Sequence, residues 1–544
     1  MRVEPVSVAY SSSLVNSYLN DFTKVRDLFE HNPMQDESFQ HRLEIIKNDY
    51  RTDRQDLVRI LTEYNEMLGC GELTRENLRK LAKPESTVVI TGQQAGILTG
   101  PLYTIYKTIT VIQLAEKAAL TLGKPVVPAF WVAAEDHDYA EIDHLDFVSR
   151  DQKLMRLDLD YKPEGKFSVG HLPINAAVQR LIEQLESNTN PSEWKPEITT
   201  KLSTLAECSE NLADWFAAVM TWLFRDYGVI LINPLNPQLR RLWSGLFKEF
   251  LQKTELINTG LLNGMNKVRA LGVEPQVATA EESAHLFYYA EGERLSLLRQ
   301  GDEFSIKGRD GVLTLEKLTG IAEVNPELLS PNVVLRPVAQ DVLIPIMAYV
   351  AGPGEISYYG LYREIYPLFG QKMPIIYPRI NITIVERSIA RHMDKYGVKF
   401  TEGLAGLHKN LDELLDNEDE IGIDRLFERY TDEIKKSFNE LIGQVSVIDQ
   451  ELTRHGNESL NKMLYQLEHF NKKASQSHRK SCKLVVNRFR SMENQLFPRN
   501  NWQERVFNIF PYLFKYGTGL INELTETPFL GNNLHKLAYL GEKG

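Results

Sequence analysis

Residues 87–107, TVVITGQQAGILTGPLYTIYK, hold the pattern that decides the fold. The apolar run 87–90 suits a buried strand, the glycine-rich turn 91–96 follows it, and helical spacing begins after Pro101. A second apolar run, 126–133, lacks polar alternation, as in a strand that is covered on both faces. Strand, helix and strand in this order predict a βαβ unit with parallel strands.

Further apolar runs of the same kind extend the predicted sheet. They lie at residues 229–232, 333–335, 346–350 and 375–377. The fold class is therefore expected to be α/β, with a Rossmann-like, doubly wound parallel sheet. Two stretches between the strands are too long for loops in a compact domain, and they predict inserted connecting subdomains. In the second of them, residues 301–318 suggest a small antiparallel element.

The C-terminal half changes to long helices. Apolar residues keep three-four spacing from Leu407 to Leu452, and again from Leu460 to Leu496. Arg454 to Asn457 reads as a break between the two stretches, so an antiparallel coiled-coil hairpin is predicted. Aromatic residues after 498 indicate that the chain returns to the core.

These patterns give a provisional division of the chain. The predicted segments are 1–149 (helical lead-in and first half of the Rossmann-like core), 150–212 (first insert), 213–237 (core), 238–330 (second insert), 331–384 (second half of the core), 385–497 (coiled-coil hairpin) and 498–544 (C-terminal segment returning to the core).

Composition narrows the functional classes. The chain has 544 residues, 43% of them hydrophobic and 25% charged, which is typical of a folded globular protein. Its formal net charge of −11 gives no electrostatic attraction to nucleic acid or to an anionic membrane. Three distant cysteines fit neither a disulfide framework nor a Cys-rich zinc site. We expect a cytoplasmic protein that binds small molecules.

Polar and glycine residues follow three of the predicted strands. The carboxyl ends of parallel strands are where doubly wound folds bind ligands, so these residues are expected to share one crevice. The turn 91–96 matches neither the G-x-G-x-x-G pattern nor the phosphate-loop pattern, and a plain tight turn is the alternative. Arg379 could clamp a carboxylate or phosphate, or form an ordinary ion pair. The candidate substrate-binding residues are Thr91, Gly92, Gln93, Gln94, Gly96, Gly100, Pro101, Tyr103, Lys107, Trp131, Gly352, Glu355, Tyr358 and Arg379.

The segment after the second strand is the candidate catalytic cluster. Glu135, Asp136, His137 and Asp138 stand directly behind the apolar run. This crowding fits a metal site of histidine and carboxylates, or general acid/base chemistry with binding of a substrate amine. A solvated acidic turn is the third interpretation. Spacing alone does not separate the three.

The sequence resembles a known family at these residues: the cysteine ligases of bacillithiol synthesis, which add cysteine to glucosaminyl-malate. The resemblance is carried by TGQQAGILTGP at 91–101, WVAAEDHD at 131–138 and GPGE at 352–355, and the organisation agrees along essentially the whole chain. It implies a Rossmann core with connecting inserts and a coiled coil that supports a homodimer.

The resemblance also implies an activity. Amide formation between the cysteine carboxylate and the sugar amine requires an activated carboxylate, so ATP or another adenine nucleotide is implied. Candidate cofactor-binding residues are Arg499, Trp502 and Arg505, with core packing of the aromatic residue as the alternative. No metal residue is assigned, although His137 with Asp136 or His144 could hold zinc for the cysteine thiol. A non-catalytic dimeric interaction protein with a relic metabolite or nucleotide site is the alternative function.

Overall fold

A computed structural model describes residues 1–541 except 9, 11, 276, 278–281 and 418–421, and except the side chains of 416, 417, 479 and 481. The chain forms two compact units. Among the described residues, unit 1 comprises 1–383 and 502–538, and unit 2 comprises 384–501 and 539–541. Among the described helices, none combines the length and the apolar character that crossing a membrane requires.

The strands, in chain order, are β1 (Arg2–Val6), β2 (Thr87–Gln93), β3 (Val126–Val132), β4 (His144–Val148), β5 (Leu154–Asp158), β6 (Ile230–Ile232), β7 (Ser283–Ala290), β8 (Glu293–Gln300), β9 (Glu303–Ile306), β10 (Val312–Thr314), β11 (Leu329–Pro331), β12 (Ile346–Ala351), β13 (Ile375–Pro378), β14 (Ile382–Val385) and β15 (His535–Tyr539).

The α-helices are α1 (Ser13–Asn20), α2 (Asp36–Asp49), α3 (Arg54–Met67), α4 (Glu72–Leu81), α5 (Tyr103–Leu122), α6 (Ala176–Asn188), α7 (Lys195–Glu207), α8 (Leu212–Leu223), α9 (Pro237–Leu242), α10 (Ser244–Gln252), α11 (Thr254–Ala270), α12 (Leu315–Val324), α13 (Arg336–Leu343), α14 (Pro353–Tyr359), α15 (Arg387–Tyr396), α16 (Gly403–Asn417), α17 (Ile423–Val445), α18 (Glu451–Ser481), α19 (Lys483–Leu496), α20 (Gln503–Val506), α21 (Phe510–Tyr516) and α22 (Gly519–Glu526).

The central sheet of unit 1 is parallel, with the strand order β13-β12-β2-β3-β6. Its strands are mainly apolar and are buried except at Gln93, the last residue of β2, because helices cover both faces. The chain proceeds from β2 to β3 on one side and later returns to β12 on the other side. The strand order therefore reverses between β2 and β12, and a crevice opens outside their carboxyl ends. The predicted Rossmann-like, doubly wound sheet is confirmed.

One predicted strand is wrong. Residues 333–335 form a turn, because the Asn332 side chain accepts hydrogen bonds from the backbone N–H groups of Val334 (2.9 Å) and Leu335 (3.3 Å). Pro337 then lies in the first turn of α13, where its missing N–H costs nothing. The apolar side chains of Val334 and Leu335 are buried as a strand would bury them, so hydrophobicity alone could not distinguish the two.

The long stretches between core strands contain structure of their own. β4 and β5 form an antiparallel hairpin, and α6, α7 and α8 follow it. Residues 283–331 contribute a five-stranded antiparallel sheet with the order β10-β9-β8-β7-β11. The predicted antiparallel element at 301–318 is thus confirmed, as part of a larger sheet.

Unit 2 contains the predicted antiparallel hairpin, formed by α17 and α18. Phe427 stacks edge-on against Phe470 at 5.3 Å, and Ile442 faces Gly456. The predicted break at 454–457 is wrong, because α18 runs through it and the turn lies at 446–450. Gly456 is required by packing: a Cβ there would lie 2.6 Å from Cγ1 of Ile442.

A buried ion pair fastens the helical lead-in to the sheet. Arg42 on α2 donates both Nη2 hydrogens to Asp341 on α13, at 2.8 and 2.9 Å. Its Nε donates to the carbonyl of Ile346, at the start of β12. Both charged residues are only 2% exposed. Loss of either partner would leave an uncompensated charge in the core.

We therefore expect Arg42→Leu to lower the free energy of unfolding by about 3–5 kcal/mol. The matched control is Arg59→Leu on α3, since Arg59 pairs with Glu63 at 3.1 Å while 52% exposed. The control should cost less than about 1 kcal/mol. Denaturant unfolding followed by circular dichroism measures both, and equal losses would contradict the role of Arg42.

Candidate functional site

A cavity of about 610 Å³ lies at the carboxyl ends of β2 and β12, where the strand order reverses. That volume suits a small-molecule site. The lining residues are Gly92, Gln93, Gln94, Tyr103, Lys107, Asp136, Glu141, Val277, Val333, Arg336, Gly352, Pro353, Gly354, Glu355, Tyr358, Arg379 and Arg505.

Gly92 is a glycine because β2 and β3 approach closely at this point. It pairs with Trp131 in the parallel register. A Cβ at Gly92 would lie 3.2 Å from Cβ of Trp131 and 3.5 Å from the hydroxyl of Tyr349. The absent side chain leaves the carbonyl of Gly92 accessible to Lys107, whose Nζ donates to it at 2.9 Å.

Lys107 and Glu355 form the central ion pair of the cavity, with 2.6 Å between Nζ and Oε2. Lys107 comes from α5, after β2, and Glu355 from α14, after β12. Besides Glu355, the lysine ammonium donates to the carbonyl of Gly92 and to Oε1 of Gln93, at 2.9 and 3.1 Å. Three acceptors match the three hydrogens of a protonated amine.

Glu355 is held ionised by its donors. Its carboxylate accepts from the backbone N–H of Gly352 at 2.7 Å and from the hydroxyl of Tyr349 at 2.8 Å. Burial alone would raise the pKa of Glu355, but the charge of Lys107 and these hydrogen bonds hold that pKa below its usual value. Burial lowers the pKa of Lys107, and the Glu355 charge opposes that shift.

An acidic group forms another part of the cavity wall. The side-chain amide of Gln94 donates to Oδ2 of Asp136 at 2.9 Å and to Oε2 of Glu141 at 2.8 Å. Burial alone would raise the pKa of Asp136, but the Gln94 hydrogen bond and the charge of Arg294 bring that pKa below its ordinary value. Asp136 is therefore a carboxylate at neutral pH, facing the cavity.

Three arginines supply the basic part of the wall. Arg379 is already engaged, because its Nη1 and Nη2 donate to Glu504 at 3.0 and 2.7 Å. Arg336 donates from Nη2 to the hydroxyl of Tyr358 at 3.1 Å. Within the described part of the chain, no carboxylate lies within ion-pair distance of Arg336 or Arg505. These two guanidinium groups are available to an anionic ligand.

The candidate catalytic cluster is divided by the structure. Asp136 alone lines the cavity. Glu135 is 3% exposed, neither of its oxygens has a hydrogen-bond partner, and burial raises its pKa. His137 turns to the second insert, where Arg294 donates to its Nδ1 at 3.2 Å; burial, followed by that charge, lowers the pKa of His137. Asp138 is exposed to solvent.

Nine of the candidate substrate-binding residues meet at the cavity: Gly92, Gln93, Gln94, Tyr103, Lys107, Gly352, Glu355, Tyr358 and Arg379. The other five do not line the cavity. The Thr91 hydroxyl donates to the carbonyl of Val350, and Trp131 is fully buried against Trp243. Gly96, Gly100 and Pro101 shape the turn that leads into α5.

The candidate nucleotide-binding residues belong to different units: Trp502 and Arg505 to unit 1, and Arg499 to unit 2. Arg505 lines the cavity. The ring of Trp502 packs on His535, with 5.4 Å between ring centroids, and Arg499 belongs to unit 2. The predicted stack of Trp502 on an adenine therefore competes with an existing aromatic contact.

Among the described residues, the group with metal-ligand spacing is Asp143, His144 and Asp158, whose ligand atoms lie within 4.8 Å of one another. It lies on the β4–β5 hairpin. The candidate zinc ligand His137 instead accepts from Arg294, which opposes cation binding at that nitrogen.

Sequence reasoning missed Arg336, and it placed Glu141 in the polar stretch after the second strand without making it a candidate site residue. The stretch before Arg336 was interpreted as a strand, which hid the fact that Arg336 begins a helix at the cavity. An arginine followed by proline after an Asn-led turn is the signal that could have found it. Glu141 lies in the acidic stretch after β3, and only the bridge through Gln94 distinguishes it from its neighbours.

The Lys107–Glu355 pair predicts strong thermodynamic coupling. In a double-mutant cycle of Lys107→Met and Glu355→Gln, each single change leaves a buried partner without its counter-charge. We therefore expect the losses of unfolding free energy in the two single mutants to sum to more than the loss in the double mutant. The coupling free energy should reach about 2 kcal/mol or more. Denaturant unfolding of the four proteins measures it, and additivity would contradict the pairing.

Two family models match this chain, one over its N-terminal part and one over its C-terminal part. The family model "Bacillithiol biosynthesis BshC, N-terminal Rossmann-like domain" matches residues 1–380, and "Bacillithiol biosynthesis BshC, C-terminal coiled-coil domain" matches residues 382–540. A protein named "Putative cysteine ligase BshC" from Desulforamulus reducens is 38% identical over 96% of this chain and 97% of its own. Its namesake from Symbiobacterium thermophilum is 37% identical over 99% and 100%.

Among solved structures, one described as an arginyl-tRNA synthetase from Campylobacter jejuni covers 88% of this chain and 98% of its own, with 11% identity and a TM-score of 0.21. That likeness is too weak to carry an argument. The two family models and the full-length relatives are decisive. This chain belongs to the bacillithiol biosynthesis BshC family.

Proposed function

We propose that this protein is a ligase that joins the carboxyl group of cysteine to the amine of glucosaminyl-malate, the last step of bacillithiol biosynthesis. The names of its relatives support the reaction class. The observation that carries the proposal is a single cavity with two kinds of charge. After Lys107 is paired with Glu355 and Arg379 with Glu504, two carboxylates and two guanidinium groups remain on its wall.

The acidic group suits the amine of the acceptor substrate. An amine attacks a carboxyl carbon only when it is neutral, so a proton must leave the nitrogen before or during bond formation. Asp136 and Glu141 converge on one amide nitrogen, Nε2 of Gln94. They are therefore close enough to bind one ammonium group together, and either carboxylate can accept its proton. Asp136 is the better placed of the two, since it is more buried.

The basic group suits the carboxylates of the malate moiety. Arg336 and Arg505 offer planar donor pairs that match a carboxylate. Arg336 is held in place by its hydrogen bond to Tyr358, whose hydroxyl also lies 3.4 Å from Glu355. The central ion pair thus orients an arginine that can bind substrate.

A nucleotide fits the same donors. Arg505 and Arg336 can bind phosphate oxygens as readily as carboxylates, so one of the two can bind the malate moiety while the other binds phosphate. When bound, ATP would supply the free energy that carboxylate activation requires. The residues of this chain would orient the two substrates, exclude water and accept the amine proton.

We also propose that the protein is a homodimer through unit 2 and works in the cytoplasm. The hairpin buries Ile442, yet it exposes several large apolar side chains: Tyr430, Leu441, Val447, Ile448, Met463, Tyr465 and Phe470. Exposed apolar residues in such number on two neighbouring helices and the turn between them favour a protein partner, and a second copy is the simplest one. Within the described part of the chain, the cysteines at 70, 208 and 482 form no disulfide, which supports a reducing compartment.

The activity prediction compares two aspartates of the same turn. Purified protein with cysteine, glucosaminyl-malate, ATP and magnesium should form the amide product, detected by mass spectrometry. Asp136→Asn should lower kcat/KM by about 100-fold or more, because a general base contributes that much. Asp138→Asn removes the same charge from an exposed position two residues away, and we expect less than about a threefold change there.

The outcomes separate the two candidate functions. Product from the parent and from the Asp138 variant, but not from the Asp136 variant, supports the ligase and its site. No product from any of the three, although calorimetry shows that glucosaminyl-malate binds, favours a non-catalytic binding protein with a relic site.

The dimer prediction concerns the exposed face of the hairpin. Light scattering of the parent should give twice the chain mass across concentrations. Tyr465→Glu, at a side chain that is 65% exposed, should shift the mass towards the monomer, because a buried unpaired charge opposes association. Lys409→Glu is the matched control, because Lys409 lies on α16, outside the hairpin, and pairs with Glu413 at 3.6 Å while 76% exposed. A monomeric parent would exclude the dimer.

A further inference from the structure

The turn between β2 and α5 contains three consecutive residues in the left-handed region. Leu98, Thr99 and Gly100 have φ values of 50°, 75° and 69°. All three are buried. Only glycine adopts this conformation without a steric penalty, so the two residues with side chains are held against their own preference. Such a backbone persists when its surroundings fix it.

The C-terminal segment supplies what fixes it. Asn508, which is 1% exposed, donates from Nδ2 to the carbonyl oxygens of Leu98 at 2.7 Å and Gly100 at 2.8 Å. The Asn508 side-chain oxygen in turn accepts from the backbone N–H of Phe510 at 2.9 Å, which fixes the orientation of the amide. A residue about 400 positions away thus satisfies the carbonyls of the strained turn.

The same segment reaches the first turn of α5 and the cavity. The backbone N–H of Leu102 donates to the carbonyl of Phe507 at 2.7 Å. Glu504 binds Arg379, and Arg505 lines the cavity. The start of α5, which carries two lining side chains, therefore rests on residues 504–508.

We propose that Asn508 is a positioning residue of the site: by holding the left-handed turn 98–100, it sets the start of α5 and so the placement of Tyr103 and Lys107 in the cavity. Asn508 is not among the residues that line the cavity, so its effect is transmitted through the backbone. Gly100 and Asn508 then fix the turn together, the glycine through its backbone conformation and the asparagine through its hydrogen bonds.

Hydrogen exchange of the full chain, followed by mass spectrometry, tests without reference to activity whether Asn508 stabilises the turn 98–100. In Asn508→Leu and in Asn508→Asp, amide exchange in residues 97–107 should become faster by about tenfold or more, because the carbonyls lose buried donors. Unchanged exchange there in both variants would overturn the proposal. If neither variant folds, the parent decides: after correction for intrinsic exchange rates, residues 97–102 and 504–510 should share one free energy of opening, and clearly separate values would overturn the proposal.

Gln113→Leu is the matched control. Gln113 lies on the same helix and donates to the carbonyls of Thr525 and Thr527, in the same C-terminal segment, at 2.9 and 2.6 Å. Its loss is expected to loosen the middle of α5 and to leave the turn 98–100 intact. We expect no acceleration at 97–102 in this variant. Equal acceleration in the control and in the Asn508 variants would show a general loosening and would overturn the specific role.

The last readout rests on the proposed ligase function. Well below the unfolding temperature, the Asn508 variants should have a kcat/KM lowered about tenfold or more, whereas Gln113→Leu should match the parent. Parental activity in a variant whose turn exchanges fast would overturn positioning. If the parent itself lacks ligase activity, the exchange experiment still shows whether Asn508 stabilises the turn. A failure of the proposed ligase function is therefore distinguishable from a failure of the role of Asn508.

Discussion

The buried ion pair between Lys107 and Glu355 is the constraint on which the site depends. It joins the two strands between which the sheet reverses its order, since the lysine follows β2 and the glutamate follows β12. At such a reversal the connections after the two neighbouring strands lead to opposite sides of the sheet. No helix then covers the carboxyl ends of both strands, and a crevice remains open there. A charge pair with backbone donors and acceptors on both sides links the two halves without filling the space.

That pair also determines which charges remain for a ligand. Because Glu355 neutralises Lys107 and Glu504 neutralises Arg379, two conspicuous cations of the sequence serve the architecture. The ligand meets Asp136, Glu141, Arg336 and Arg505 instead. Their mixed signs suit a substrate that carries both an amine and carboxylates. A wall of one sign would favour only one end of such a molecule.

The sequence was informative where local patterns determine structure. Uninterrupted apolar runs located five strands of the central sheet, and the glycines at 92 and 352 located the crevice at their ends. It was uninformative where the outcome depends on distant contacts. Local pattern shows neither that His137 turns to Arg294 nor that Glu504 occupies Arg379, since those partners lie more than 100 residues away. The strand at 333–335 was wrong because one asparagine side chain captured two backbone donors that a sheet would have used.

The dependence of the crevice on residues 502–510 has a consequence for how the site forms. The sheet, α5 and α14 are complete before unit 2 is synthesised, but the partner of Arg379 and the donor to the turn 98–100 follow it in the chain. Until the C-terminal segment is present, the guanidinium of Arg379 lacks its carboxylate partner and the strained turn 98–100 lacks the hydrogen bonds from Asn508. Both states cost free energy. The crevice therefore gains its final geometry only when the C-terminal segment docks. Since that segment follows unit 2 in the sequence, residues 384–501 are synthesised between the two parts of the chain that build the site.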